Sequence, residues 1–286
     1  MSYTLLIVLT LFCSLVQSSV PPPTVAQDYQ ALVAAEKQFA HFTEQHTIKE
    51  GFLQFLSTDA VLYRRKFVNG KDFYAAQQST ATILSWSPQY AAISQSGSFG
   101  YTAGPYQIKR HQTAQPSSFG HYISLWAKVD TTWQVIFDLG CPYDEPNDFT
   151  AFAYPEQYDK KVATSLDTTR LKSDLMTVER RFSALSAKNS LQAAYQAFLA
   201  EQPLLFRTGQ QPFDQPAKIK ALVVSSQTSV VFTPQDGKVA VAGDLGYVFG
   251  YSRTGKLTPK PYLHIWKIDQ QREWKLVLEV LTLAAQ

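Results

Sequence analysis

The chain repeats itself, and that repetition limits its fold more than any other feature of the sequence. The stretch IKEGFLQFLSTDAVLYRR aligns without a gap on LQAAYQAFLAEQPLLFRT. This sets Phe52 against Tyr195, Phe55 against Phe198, Leu56 against Leu199, Tyr63 against Phe206 and Arg64 against Arg207. The same offset pairs Glu36 with Glu179 and Phe39 with Phe182. Downstream, HYISLWAKVDTTWQVIFDLG matches YLHIWKIDQQREWKLVLEVL, pairing Tyr122 with Tyr262, Trp126 with Trp266, Trp133 with Trp274 and Asp138 with Glu279. Between these blocks, in the same order, lie GSFGYTAGPY and GDLGYVFGY, which share the skeleton G-x-x-G-Y-x-x-G. A chain of 286 residues is long for a single core. It reads as two copies of one domain, residues 28–141 and 168–283, joined by a proline- and aromatic-bearing linker over 142–167.

Each copy reads helix, helix, then strands. Residues 28–45 place Leu32, Ala35, Phe39 and Phe42 three and four apart, the spacing of an amphipathic helix. Thr47 with Glu50 forms a capping box for a second helix, Ser190 is the matching cap in the second copy, and Asp167 caps the helix that opens it. Asp59-Ala60 is expected to end the second helix, with a strand beginning at Val61 and a further helical stretch near 70–83. Runs at 90–94, 99–110, 120–129 and 133–139 read as strands of a mostly antiparallel meander, giving an α+β class. On the last of these, alternation puts Trp133, Val135, Phe137 and Leu139 on one face and Gln134, Ile136 and Asp138 on the other. Gly100 with Gly104, and Gly246 with Gly250, leave one strand face bare. Such glycines mark a bend or the close approach of another element, or they open room for a ligand beside a tyrosine.

Composition and termini narrow the partners. A net charge of +3 is scattered rather than gathered into a patch, which argues against a nucleic-acid partner. The apolar run at 5–16, followed by Val16 and Ser18 at the −3 and −1 places, fits a signal peptide cleaved near Ser18. That predicts export to the periplasm or the medium and no membrane segment afterwards. The lack of Lys or Arg before the run leaves an uncleaved anchor as the alternative. Cleavage leaves Cys141 alone, so no disulfide forms within the chain, and no histidine nearby supports it as a nucleophile. His41 and His46 do not share a helix face, and no phosphate loop or dinucleotide fingerprint occurs, so no metal and no cofactor is expected.

The run D-A-V-L-Y-R after the second helix, S-G-x-x-G-Y-T-x-G and a closing W-x-x-x-x-D together resemble the nuclear transport factor 2-like (NTF2-like) superfamily. Within it the chain is most similar to SnoaL-like and ketosteroid-isomerase-like exported domains of unknown function. The resemblance covers each copy nearly end to end. It implies a cone: N-terminal helices packed on a curved sheet, with a cavity between them. That superfamily holds isomerases, dehydratases, cyclases and non-catalytic association domains, so fold alone does not choose among activities. The resemblance also places an isomerase's carboxylate base about five residues after the Asp-Ala, and here that position is Arg64, or Arg207 in the second copy. An arginine stays protonated and cannot abstract a proton from carbon, which disfavours that mechanism.

The candidate ligand-binding residues are Arg64, Tyr101 and Trp126, with their counterparts Arg207, Tyr247 and Trp266. Asp138, Glu279 and His264 are the candidate acid–base groups, although the counterpart of His264 is Ser124. Each has a purely architectural alternative: the arginines paired with Asp138 and Glu279, the tyrosines and tryptophans packed in a core. Three functional readings follow: binding of a small apolar or aromatic ligand, a lyase, isomerase or cyclase, and an interaction scaffold. In the last, the halves form a covalent pseudo-dimer or the chain forms a homo-oligomer.

Overall fold

A computed structural model describes residues 23–146 and 167–282; the expected signal segment and most of the expected linker lie outside the described residues. The first half runs α1 (Val25–Gln45), α2 (Ile48–Phe55), β1 (Leu56–Tyr63), β2 (Phe67–Asn69), α3 (Gly70–Ala76), β3 (Ile83–Trp86), β4 (Tyr90–Ile93), β5 (Phe99–Lys109), β6 (Ser118–Val129) and β7 (Thr132–Tyr143). The second runs α4 (Thr168–Lys188), α5 (Leu191–Phe198), β8 (Leu199–Arg207), α6 (Pro216–Ser225), β9 (Val230–Val239), β10 (Leu245–Thr254), β11 (Lys260–Ile268) and β12 (Trp274–Leu281). The class is α+β, with helices on one face of a seven-stranded and of a five-stranded mixed sheet. Among the described residues no helix is long and apolar enough to cross a membrane.

The caps form as the sequence requires. Thr47 accepts from the Glu50 amide at 3.2 Å, Ser190 from the Ala193 amide at 3.3 Å, and Asp167 from the Thr169 amide at 3.0 Å. α1 starts earlier than its apolar pattern because Thr24 and Gln27 build a reciprocal capping box. Helix α2 ends at Phe55, not at Asp59-Ala60, since its chain turns directly into β1 at Leu56.

The sheets match strand for strand where it counts. β1 joins β7 in parallel, with Leu62 opposite Asp138, and β8 joins β12 with Leu205 opposite Glu279. Ser124 faces Asp138 across β6 and β7; His264 faces Glu279 across β11 and β12. Each sheet also skips a residue at the same point, Ile136 in β7 and Val277 in β12. This bulge corrects the expectation of strict alternation. Val135 packs under the helices, whereas Ile136 and Phe137 both join the opposite core. The extra residue thereby re-aims Asp138 to the helix side, which is what bulges beside functional sites commonly do.

The glycines are places of close backbone approach. A methyl group on Gly104 would lie 2.0 Å from the Ser87 carbonyl oxygen, where the edge breaks between β3 and β4, and one on Gly250 would lie 2.2 Å from the Thr233 carbonyl oxygen, beside a bulge in β9. The two sheets turn their helix-free faces toward one another. Phe99, Phe137, Leu204, Phe206, Tyr247 and Phe249 share one core there, with Phe137 and Phe249 ring centroids 5.0 Å apart. At its margin Asp244 accepts from Ser94 Oγ at 2.5 Å and from the Gln95 amide at 2.8 Å.

Candidate functional site

Between α2, α3 and the helix side of the first sheet lies a cavity of about 250 Å³. Phe39, Phe52, Leu84, Trp86 and Ile108 supply an apolar wall, and Arg64, Tyr74, Tyr122, Ser124 and Asp138 supply the polar one. Three adjacent strands aim these groups. Arg64 follows the end of β1, Tyr122 and Ser124 alternate on β6, and the bulge in β7 delivers Asp138.

Arg64 is half-buried and sits among rings, its guanidinium carbon 5.6 Å from the centroids of both Phe52 and Tyr74. It donates to the Tyr63 carbonyl at 2.8 Å and to the Tyr74 hydroxyl at 2.9 Å. Its contact with Asp138 is loose, at 3.7 Å. Asp138 also accepts from Ser124 Oγ at 3.2 Å. Burial pushes the Asp138 carboxyl above its ordinary range, against the opposing pull of Arg64 and Ser124. The buried Tyr122 hydroxyl makes no hydrogen bond of ordinary geometry, with Thr102 only weighing on its proton. Burial, followed by the neighbouring Glu36, raises that phenol well above its usual value.

Glu36, beneath the cavity, received no functional role in the sequence reading. It is fully buried with no cation beside it, and accepts from Trp86 Nε1 at 2.5 Å, Thr102 Oγ1 at 2.5 Å and Trp126 Nε1 at 2.9 Å. Burial pushes it to about 7 in spite of those donors. Its signal in the sequence was an acid repeated at the same place on the buried face of an otherwise apolar helix stripe.

The second half closes the same space. Arg207 Nη2 contacts Glu279 Oε1 at 2.5 Å, and Tyr195, which stands where the first half has Phe52, donates to that oxygen at 2.5 Å. Arg207 also donates to the Tyr195 hydroxyl. His264 meets Glu279 Oε2 at 2.7 Å through Nε2 and Glu179 Oε1 at 3.0 Å through Nδ1. Tyr262 and Trp266 complete the ring of donors on Glu179 at 3.0 Å and 2.9 Å. Burial alone would lower the imidazole, but Glu179 and Glu279 hold it at about 9. Burial opposes the charge on Glu279 too, yet Arg207 and His264 bring it down to about 2. Larger side chains stand at three matched positions: His for Ser124, Glu for Asp138 and Tyr for Phe52.

The expected site residues therefore separate. Arg64 and Asp138 come together in the cavity. Trp126 and Trp266 lie under it or its filled counterpart as donors to Glu36 and Glu179. Arg207, Glu279 and His264 form a buried network with both imidazole nitrogens occupied. Tyr101 and Tyr247 lie in the core between the sheets, on the face away from the cavity, because strand alternation opposes them to the helix-facing glycines. Cys141 is buried and its thiol is pushed up to about 11 by that burial, so it is not poised as a nucleophile. Among the described residues no cluster with metal-ligand composition occurs.

No protein-family model and no curated protein matches the sequence. Solved structures to which the chain is similar include an NTF-2-like protein of unknown function from Shewanella oneidensis, at 17% identity and TM-score 0.33 over 39% of this chain and 96% of that one. Another, from Novosphingobium aromaticivorans and named provisionally as a scytalone dehydratase, has 12% identity and TM-score 0.33 over 46% of this chain and 94% of that one. The association domain of C. elegans CaMKII has 11% identity and TM-score 0.32 over 39% of this chain and 92% of that one.

Proposed function

We propose that the chain is an exported tandem of two NTF2-like domains, of which the first binds a small, mainly apolar or aromatic molecule and the second is a closed companion. The cavity carries this reading: about 250 Å³ walled by aromatic and aliphatic side chains, with a few convergent polar groups at one end. Binding sites for small molecules have that composition, and this one lies just below their usual range of roughly 300–1,000 Å³, which fits a small ligand. The partly exposed Ile48, Leu84 and Ile108 at its wall give an apolar entrance. The test uses the protein's own closed half as a template. A panel of aromatic compounds and lipophilic acids should raise the melting temperature of the wild type. The double variant Ser124→His, Asp138→Glu should lose that response while keeping its circular dichroism. Equal responses from both proteins would place the ligand elsewhere.

A second reading, a lyase, isomerase or cyclase acting in the same cavity, draws on Asp138. Its carboxyl, raised by burial and standing beside Arg64 at the polar end of the cavity, is placed to exchange a proton with a bound substrate. A turnover found with any cavity ligand, and abolished by Asp138→Asn with the binding response retained, would select it.

A further inference from the structure

The helix-facing positions that the two halves share form the same frame: Glu36 or Glu179, Trp126 or Trp266, Tyr122 or Tyr262, Arg64 or Arg207. In the second half an imidazole completes it. The His264 ring spans from Glu179 to Glu279, and it lies 4.7 Å, centroid to centroid, from the Tyr262 ring at a tilt of 57°. In the first half Ser124 removes that ring, and two groups are left short. Tyr262 gives its hydroxyl to Glu179 at 3.0 Å, while the Tyr122 hydroxyl completes no hydrogen bond. Glu279 takes a ring N–H at 2.7 Å, while Asp138 has only the Ser124 hydroxyl and a guanidinium 3.7 Å away. Glu36 is not short, because Trp86 Nε1 occupies one of its oxygens.

On the reading that this cavity is a ligand site, we propose that its ligand is a flat nitrogen base with a ring N–H: an azole bearing an apolar substituent. The azole ring takes the place that the His264 imidazole fills in the second half. One ring nitrogen donates to Asp138, and the Tyr122 hydroxyl meets the other. The substituent lies against Phe39, Phe52 and Leu84. At about 250 Å³ the cavity has the room of roughly eight waters, more than one five-membered ring fills, so a substituent is needed to exclude solvent.

The experiment compares 4-phenylimidazole, phenylacetate and ethylbenzene by calorimetry and thermal shift on the wild-type chain. The base is expected to bind at least about tenfold more tightly than either control, the size of one charge-assisted hydrogen bond. Asp138→Asn should remove that preference, Tyr122→Phe should weaken the base by about fivefold, and Ser124→His should abolish its binding. Phenylacetate or ethylbenzene binding more tightly than the base overturns the ligand class and leaves the pocket standing. No binding by any of the three removes both. Base binding that survives Ser124→His in full puts the site elsewhere and overturns the proposal.

Discussion

Replacing His264 with asparagine should cost the second half a pH-dependent amount of stability. The imidazole is fully buried between Glu179 and Glu279 and held near 9, against 6.5 for an ordinary histidine. At about 1.4 kcal/mol per pKa unit, that difference corresponds to about 3 kcal/mol. Because the folded value is raised, this stabilisation is fully present below 6.5 and is lost as the pH climbs through 9. Glu279 belongs to the same ion pair, so its depressed carboxyl is not counted again; its own stabilisation is lost only as the pH falls toward 2. At pH 6 the variant should therefore be weaker by about 4 kcal/mol, about 3 from the charge and about 1 from neutral hydrogen bonds, or roughly 12 °C in melting temperature. At pH 10 the gap should narrow to about 1 kcal/mol, the remainder from neutral hydrogen bonds. Glu36, raised to about 7, also makes the protein less stable as pH rises toward 7, but it is common to both proteins and cancels in the difference. Urea unfolding at pH 6, 8 and 10 measures the gap, and NMR titration of the histidine rings measures the shift directly. A His264 ring that titrates near 6.5, or a gap constant from pH 6 to 10, would refute the network's charge.

Two further outcomes separate the halves and test the bend. Arg207→Met removes a 2.5 Å ion pair from the fully buried Glu279 and should cost about 3–5 kcal/mol, whereas Arg64→Met loses only a 3.7 Å contact made by a half-buried guanidinium and should cost less than half as much; thermal melts of the two variants at pH 7 compare them. Gly104→Ala would force a methyl group to 2.0 Å from the Ser87 carbonyl and should destabilise by about 1–3 kcal/mol. Gly209→Ala, whose φ of +79° is strained but whose surroundings are open, should cost about 1 kcal/mol by the same melts.

The elements that carry strong local signals were legible: the capped helices, the meander and the equivalence of Arg64 with Arg207 all follow from spacing and repetition. The short β2 and β3 were not, because three- and four-residue strands beside a helix have too few residues to show a period. The bulge at Ile136 was not either. Inserting one residue leaves composition unchanged and shifts only the phase of burial, yet it decides that Asp138 faces the helices. The open space expected beside the glycines near Tyr101 and Tyr247 is taken by neighbouring elements, and the tyrosines, on the opposite strand face, instead border clefts at the margins of the core between the sheets. Glu36 was in view as a repeated acid; what sequence could not supply was its burial among three donors with no cation.

The difference between the halves is one of energy as well as shape. A void of about 250 Å³ costs at most about 6 kcal/mol on the scale of cavity-forming substitutions, with water on the polar wall reducing it. That is comparable to the whole net stability of an ordinary domain, about 5–15 kcal/mol. The second half avoids it with His264, Glu279 and Tyr195, but it fills the space with charges, which stabilise poorly compared with an apolar plug of the same volume. Packing alone would favour leucine or phenylalanine there. The charged filling makes sense when the shared frame of Glu179, Trp266, Tyr262 and Arg207 is taken as fixed: an imidazolium is the group that satisfies two carboxylates at once. The same frame surrounds Ser124 without that ring, so the open half keeps a polar demand that its own side chains leave short at the Tyr122 hydroxyl and at Asp138.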